Sequence, residues 1–242
     1  MDFKNYDKNI LFIDIETVSQ EKDWGSLCSY KQRLFDKKTQ YARKDDTSPE
    51  EFYKNAGIWA EFGKIVCISV AFFRCNKPNE NERQLRVKSF FGYNERDILL
   101  EFKELLDNHH SGRKCLLCAH NGKEFDFPYI ARRMIILQIK LPDILNLSGK
   151  KPWEIAHIDT MEMWKFGDYK HFTSLELLAS ILNIPTPKDD IDGSQVASIF
   201  YEEKNIKRIA RYCEKDTVTV AQLFLRFKNE PLLNEDEIIT IK

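Results

Sequence analysis

The segment Ile10–Ile15, ILFIDI, is apolar and largely β-branched apart from one aspartate. Such a run suits a strand buried on both faces, so the sheet that holds it needs a layer of structure on each side. Two further apolar runs, KIVCISVAFF (Lys64–Phe73) and QLRVKSFF (Gln84–Phe91), flank a polar stretch carrying the turn formers Asn76, Pro78 and Asn79. They are expected to pair as an antiparallel hairpin. Asn94 suits the N-cap of a helix with Ile98, Phe102, Leu105 and Leu106 at helical spacing, ended by Gly112. CLLCAH (Cys115–His120) reads as a fourth strand, FPYIARRMIIL as a helix with Pro128 near its first turn, and HIDTMEMW (His157–Trp164) as a fifth strand. Thr173 and Glu176 form a T-x-x-E capping box before LELLASIL. A last long helix carries Ile206, Ile209, Ala210, Cys213, Thr217, Val220, Ala221 and Phe224 on one stripe.

These elements describe an α/β fold, a mixed five-stranded sheet flanked by helices, and their order is that of the ribonuclease H-like fold. Residues 19–62 interrupt the pattern with a charged stretch containing Trp24, Tyr30, Phe35, Tyr41, Tyr53 and Trp59, expected to be a mostly helical insertion after the first strand. IPTPKDDIDGS (Ile184–Ser194) reads as a loop before an N-cap at Ser194. With 242 residues, 43% of them hydrophobic, the chain suits one domain spanning residues 1–242.

A formal net charge of -1 does not announce a nucleic-acid binder, so any such binding must be local. The first residues lack an apolar signal-like region, and no run approaches the roughly 18 apolar residues of a membrane span. The expectation is a soluble, cytoplasmic protein with no membrane partner. Six scattered cysteines fit reduced thiols. Cys115 and Cys118 form a C-x-x-C, but within a strand an offset of three points them to opposite faces.

Asp14 and Glu16 lie two apart on the first strand, so they share a face, roughly 7 Å apart at about 3.3 Å per residue. Either this face reaches solvent at the strand's end, or the pair is functional, since carboxylates crowded into a core repel each other and lose solvation. Tyr212 and Asp216 lie four apart on the last helix and share a face. Alone, such a pair usually means a phenol and an acid at a core's edge. Asp126 sits at a strand-to-helix junction, where an N-cap aspartate is the plain reading and a functional acid the other. Acids at the ends of several elements make a hard oxygen-donor set suited to Mg²⁺ or Mn²⁺ rather than zinc.

FIDIET (Phe12–Thr17), HNGKEFDFPYIARR (His120–Arg133) and YCEKD (Tyr212–Asp216) resemble the three exonuclease motifs of the DEDD superfamily, in its tyrosine-containing branch. N-x-x-x-F-D-x-P-Y-I, Asn121–Ile130, is similar to the proofreading domains of family B DNA polymerases. AGIWAEFGKIVCISV, DTMEMWKFGDYKHFTSLELLA and IPTPKDDIDGSQV resemble stand-alone exonucleases related to those domains.

The resemblance implies a 3′-5′ exonuclease that hydrolyses single-stranded nucleic acid, DNA in the first instance, from a 3′ end to nucleoside 5′-monophosphates with two divalent cations. Asp14, Glu16 and Asp216 would hold one ion, and Asp14 and Asp126 the second. Tyr212 would orient the attacking water, while Thr17, Asn121 and Phe125 would touch the terminal nucleotides. A 3′-end-processing exoribonuclease of the same superfamily is the near alternative. A non-catalytic nucleic-acid-binding or polymerase-associated module is the distant one, and a separate polymerase or repair protein would be the partner. Asp159, Asp189, Asp190, Asp192 and His120 read as structural or solvated groups, whereas Arg132, Arg133, Lys165, Lys170 and Lys188 are candidates for phosphate contacts.

Overall fold

Strand β1 (Ile10–Ser19) takes the central place that its composition demands. In the computed structural model, which describes residues 9–44, 46–75, 83–109, 115–168, 170, 172–185 and 191–241, β1 pairs antiparallel with β2 (Gly63–Cys75) and parallel with β4 (Leu116–Ala119). β3 (Arg83–Phe91), β5 (Ile158–Asp159) and β6 (Ile238–Thr240) complete a mixed sheet of order β5-β4-β1-β2-β3-β6. The expected hairpin is present, with β2 and β3 antiparallel as far as Cys75 opposite Arg83. Its turn residues Asn76, Pro78 and Asn79 lie outside the described residues, as do Gly112, Lys188, Asp189 and Asp190.

The two faces of β1 have separate covers. Leu11, Ile13 and Ile15 pack with Ile68 and Val70 beneath α3 (Glu95–His109) and α4 (Asp126–Ile136), through Ile98, Phe102, Phe127, Ile130 and Met134. Ile10 and Phe12 face the other way. With Ala71, Phe73, Leu85 and Val87 they meet Val220, Ala221 and Phe224 of the long C-terminal helix Ile206–Phe227. The alternation is the period of two expected of a strand buried on both sides.

Four expectations about the elements and their caps are corrected. The sheet has six strands, not five: β6 pairs parallel with β3 along only three residues, too short a stretch among charged neighbours for its composition to reveal. HIDTMEMW is not a strand beyond Asp159. The Asp159 carboxylate accepts hydrogen bonds from the amides of Met161 and Glu162, and as an N-cap it starts α5 (Thr160–Lys165). The cap of α6 (Leu175–Ile181) is Ser174, whose hydroxyl accepts from the Leu177 amide. Thr173 instead gives its carbonyl to His120. Asp192 rather than Ser194 caps the turn Gly193–Gln195, which leads through α7 (Val196–Ser198) and a π-helical turn, Ile199–Glu203, to α8 (Ile206–Phe227).

The insertion is helical as expected, with α1 (Ser29–Thr39), α2 (Pro49–Phe52) and short 3-10 turns. Its aromatic residues form a satellite core: Phe35 meets Trp24, Tyr53, Trp59 and Phe62 in edge-to-face contacts 5.1–6.1 Å between centroids. The insertion is moored at Gly57, whose carbonyl accepts from Thr17 Oγ1 at 2.8 Å and Tyr129 Oη at 2.7 Å. Gly63 permits this arrangement, because a Cβ there would stand 2.2 Å from Tyr129 Oη. No described helix is long and apolar enough to cross a membrane.

Arg133 is not a surface cation awaiting phosphate. It is 3% exposed and forms a two-pronged pair with Glu95, Nε–Oε1 2.8 Å and Nη2–Oε2 2.6 Å, while Nη1 donates to the Ala60 carbonyl. Glu95 also accepts from the Ile65 amide at 2.7 Å, so one buried pair joins α3, α4, β2 and the end of the insertion. Removing one partner strands the other charge, which typically costs about 3–5 kcal/mol. Arg133→Ala should therefore lose about that much stability in urea denaturation by the same principle. A loss below about 1 kcal/mol, typical of a surface pair, would contradict the bracing role.

Candidate active site

Beyond Phe12 the face of β1 that meets α8 continues with Asp14, Glu16 and Val18. Val18 is buried in a cluster with Ile209, Ala210 and Cys213 of α8. The two acids are therefore set between apolar neighbours under a helix, and Glu16 is itself only 8% exposed. Solvent at the strand's end does not account for Glu16, and half-buried Asp14 meets it only in part. The β1–β2 register shifts between Glu16 and Thr17, a bulge beside the pair, of the kind that re-aims side chains where a sheet meets a site.

From α8, Tyr212 and Asp216 reach the same place. The Tyr212 phenol hydrogen-bonds to Asp216, and burial, then Asp216, Glu16 and Asp14, hold it far above its ordinary pKa. It is a protonated hydrogen-bond donor at neutral pH. Gly193 leaves room beside its hydroxyl, since a Cβ there would stand 3.9 Å away. Asp126 is the first residue of α4 and 4% exposed. It does not cap that helix from the N-cap position, which Phe125 occupies. Its carboxylate accepts from its own amide and from that of Ile15, between the two acids of β1. The pairing of β4 with β1 reaches only Phe12, and the N-terminus of α4 meets β1 beyond that point.

The four acids sense one another. Asp14 is pushed well above the usual carboxylate range by burial, then by Asp216, Glu16 and Asp126, with a hydrogen bond from Cys213 opposing. Glu16 is raised by burial, Asp216, Cys67 and Asp126. Among the described residues, Asp14, Glu16 and Cys213 offer ligand atoms that all lie within 4.8 Å of one another. Cys213 was read from the sequence as part of the apolar stripe. Its position three residues before Asp216, which puts both on one side of a helix, is the signal that links it to the site.

The loop leading to Asp126 is tightly tied. Asn121 is left-handed, φ 62°, and its amide donates to Asp159 Oδ1 at 3.0 Å; the Lys123 amide donates to Oδ2 at 3.1 Å. Gly122 has no space for a side chain, as a Cβ would lie 2.4 Å from that of Ala119. Both nitrogens of His120 are engaged, by the Thr160 hydroxyl and the Thr173 carbonyl. Asp159 and His120 thus have the structural roles expected of them. The Asn121 Oδ1 is buried without a hydrogen-bond partner. Phe125 is half-buried, its ring 5.3 Å from that of Tyr129. Thr17 shares the opposite side of β1 with Ile15, and its hydroxyl is committed as a donor to Gly57. Trp24 and Trp59 are packed within the insertion's own cluster, and Tyr30 is exposed beneath Arg33.

Asp126 titrates near neutrality, raised to about 7 by burial, with Asp159 adding repulsion and backbone amides opposing. The folded protein then keeps a proton that an unfolded aspartate releases near pH 3.9, so this group lowers stability progressively as pH rises from about 4 to 7. Asp126→Asn removes that titration. In chelator, the stability of Asp126→Asn relative to the unaltered protein should grow as pH is raised from about 4.5 to 7.5. A difference that stays flat in urea denaturation across that range would refute the assignment.

Residues 58–237, more than half of the chain, match the family described as predicted 3′-5′ exonucleases related to the exonuclease domain of PolB. Asp126, Tyr212 and Asp216 lie inside the match, and Asp14 and Glu16 precede it. The chain is 25% identical over 125 residues to a DNA polymerase of Pyrococcus glycovorans, covering 46% of this chain and 16% of that protein. It is 24% identical over 125 residues to one of Desulfurococcus sp. (strain Tok), with the same coverage. The match thus spans about a sixth of the length of these relatives. The family B DNA polymerase of Pyrobaculum calidifontis shares the fold, with a TM-score of 0.53 at 16% identity, over 89% of this chain and 24% of that one. The chain belongs to the family of 3′-5′ exonucleases related to the exonuclease domain of PolB.

Proposed function

We propose that the chain, as one domain, is a tyrosine-branch DEDD exonuclease with a ribonuclease H-like fold. It removes nucleoside 5′-monophosphates from the 3′ end of single-stranded DNA. The observation that carries this reading is the convergence of four acids from β1, α4 and α8, with Asp126 and Asp216 close enough to raise the pKa of Asp14 and Glu16, at a place where Glu16 and Asp126 are buried and Asp14 and Asp216 half-buried. Carboxylate crowding of this kind is relieved by cations.

The donor set suits hard divalent ions, Mg²⁺ or Mn²⁺, which Asp14, Glu16, Asp126 and Asp216 would hold. When bound, such ions supply Lewis acidity to the attacking water and to the departing 3′ oxygen. The protein's own groups do the rest. Tyr212, protonated and anchored to Asp216, positions the water as a hydrogen-bond donor rather than as a base. Asn121 Oδ1, buried and unpaired, would accept from a terminal 3′-hydroxyl once its side chain rotates outward. Thr17, its proton engaged by Gly57, retains acceptor lone pairs toward a nucleotide. The free side of the Phe125 ring packs on a base or sugar, which favours an unpaired end. Similarity to DNA polymerases favours DNA over RNA as the substrate.

The test uses 5′-labelled single-stranded DNA, duplex DNA and RNA with Mg²⁺ or with excess EDTA. The expected result is a ladder of labelled strands shortened stepwise from the 3′ end, fastest on single-stranded DNA and absent in EDTA. Labelled mononucleotide at the earliest times, or full hydrolysis in EDTA, would sink the reading. Among folded variants, Asp14→Ala should fall to background and Asp216→Asn should be severely impaired. Tyr212→Phe should be milder, with about 10²- to 10⁴-fold as its upper range. A near-normal rate for Asp14→Ala beside an inactive Tyr212→Phe would reverse the assigned roles.

A further inference from the structure

Behind the acids stands a pair of thiols to which the exonuclease reading gives no task. Cys213 follows Tyr212 on α8 and is fully buried. Its Sγ lies 3.3 Å from Asp14 Oδ2 and 3.4 Å from the Asp14 carbonyl oxygen. Cys67 of β2, buried as well, is hydrogen-bonded to Cys213 and lies 3.7 Å from Ser69 Oγ. Asp14 Oδ2 and Cys213 Sγ, 3.3 Å apart, can share one cation, since thiolate and carboxylate bonds to zinc are about 2.3 Å and about 2.0–2.2 Å, and the Glu16 donor, within 4.8 Å of both, joins them through a small side-chain rotation.

We infer that Asp14, Glu16 and Cys213 form a mixed thiolate–carboxylate site for a thiophilic divalent cation of the Zn²⁺ or Cd²⁺ class, which competes with the hard ion for the same two carboxylates. Sulfur binds soft and borderline cations and adds nothing for Mg²⁺, which is held by oxygen. As the sulfur–metal bond forms, the Sγ–H bond breaks and its proton passes to solvent, with no change of oxidation state. The inference rests on the reading of Asp14 and Glu16 as metal ligands and adds a sulfur to them. Cys213 is thereby distinguished from a small core residue that merely donates its S–H to Asp14.

The test is a titration of metal-free protein with Cd²⁺, following the ultraviolet sulfur-to-cadmium charge-transfer band. A saturable band is expected. It should be lost in Cys213→Ser and in Cys213→Ala, kept in Cys115→Ser, and shifted to higher Cd²⁺ by Asp14→Asn or by prior saturation with Mg²⁺. Absence of a band from the unaltered protein, an unchanged band in folded Cys213→Ser, or dependence on Cys67 alone would overturn the site. Should both Cys213 variants fail to fold, cadmium NMR of the unaltered protein decides. Ligation including sulfur, with the shift caused by Asp14→Asn, supports the site, and oxygen-only ligation overturns it. Hydrolysis with Mg²⁺ is scored separately, so a protein that shows the band but degrades no nucleic acid overturns the exonuclease reading and leaves this one standing.

Discussion

Asp14 and Glu16 ride on a strand whose neighbours on the same face are Phe12 and Val18, and burial there is the largest influence on both carboxyls. Asp216 and Asp126 add repulsion, and the Cys213 thiol offers Asp14 one opposing hydrogen bond. In the absence of cations the protein can relieve this only by holding protons, which is why the group titrates far from ordinary carboxylates. The cluster therefore works against folding as pH rises, and whatever binds it with positive charge restores stability through the same interactions that would serve catalysis. Stability and the cation binding proposed for these acids are opposed at this point of the sheet, as is common where strain is kept at a site.

The scaffold compensates with ionic interactions of the opposite character. Arg133 and Glu95 are buried and mutually neutralised, with hydrogen bonds from or to Ile65 and Ala60 using their remaining valences. That pair lies on the α3/α4 side of the sheet, while the acids Asp14 and Glu16 lie on the α8 side. One charge cluster is closed and structural. The other is left open to an added ion, and the sheet between them keeps Arg133 from serving as a counter-ion to Asp14.

Much of this was legible in the residues. The alternation of β1, the hairpin, α3, α4 and α8, and the same-face placement of Asp14 with Glu16 and of Tyr212 with Asp216 follow from periods of two and 3.6. What was not legible depended on partners distant in sequence. β6 exists because the β3 edge is there to receive it. HIDTMEMW has the apolar content of a strand, yet the Asp159 side chain captures the next two free amides and turns the chain into a helix. Arg133 looks like any basic residue near a phosphate site until Glu95, 38 positions away, is placed against it. Cys213 falls on the core stripe of its helix, and only the fold sets its sulfur against Asp14.

The loop from His120 to Asp126 shows why the site can be rigid before any ligand arrives. Asp159 fixes the Asn121 and Lys123 amides, and its other bonds begin α5; the His120 ring is held at both nitrogens, and Gly122 is clamped between Ala119 and Phe127. Asp126 in turn is tied to β1 through the Ile15 amide. A loop so fully engaged leaves one buried side-chain acceptor unmet, Asn121 Oδ1. Leaving a buried acceptor unpaired typically costs about 1–3 kcal/mol. The loop backbone is fixed and cannot shift to relieve that cost, so only a rotation of the Asn121 side chain itself can bring the oxygen to a partner. The same hydrogen bonds that make the loop stiff thus leave one buried side-chain acceptor unmet on the turn that leads to Asp126.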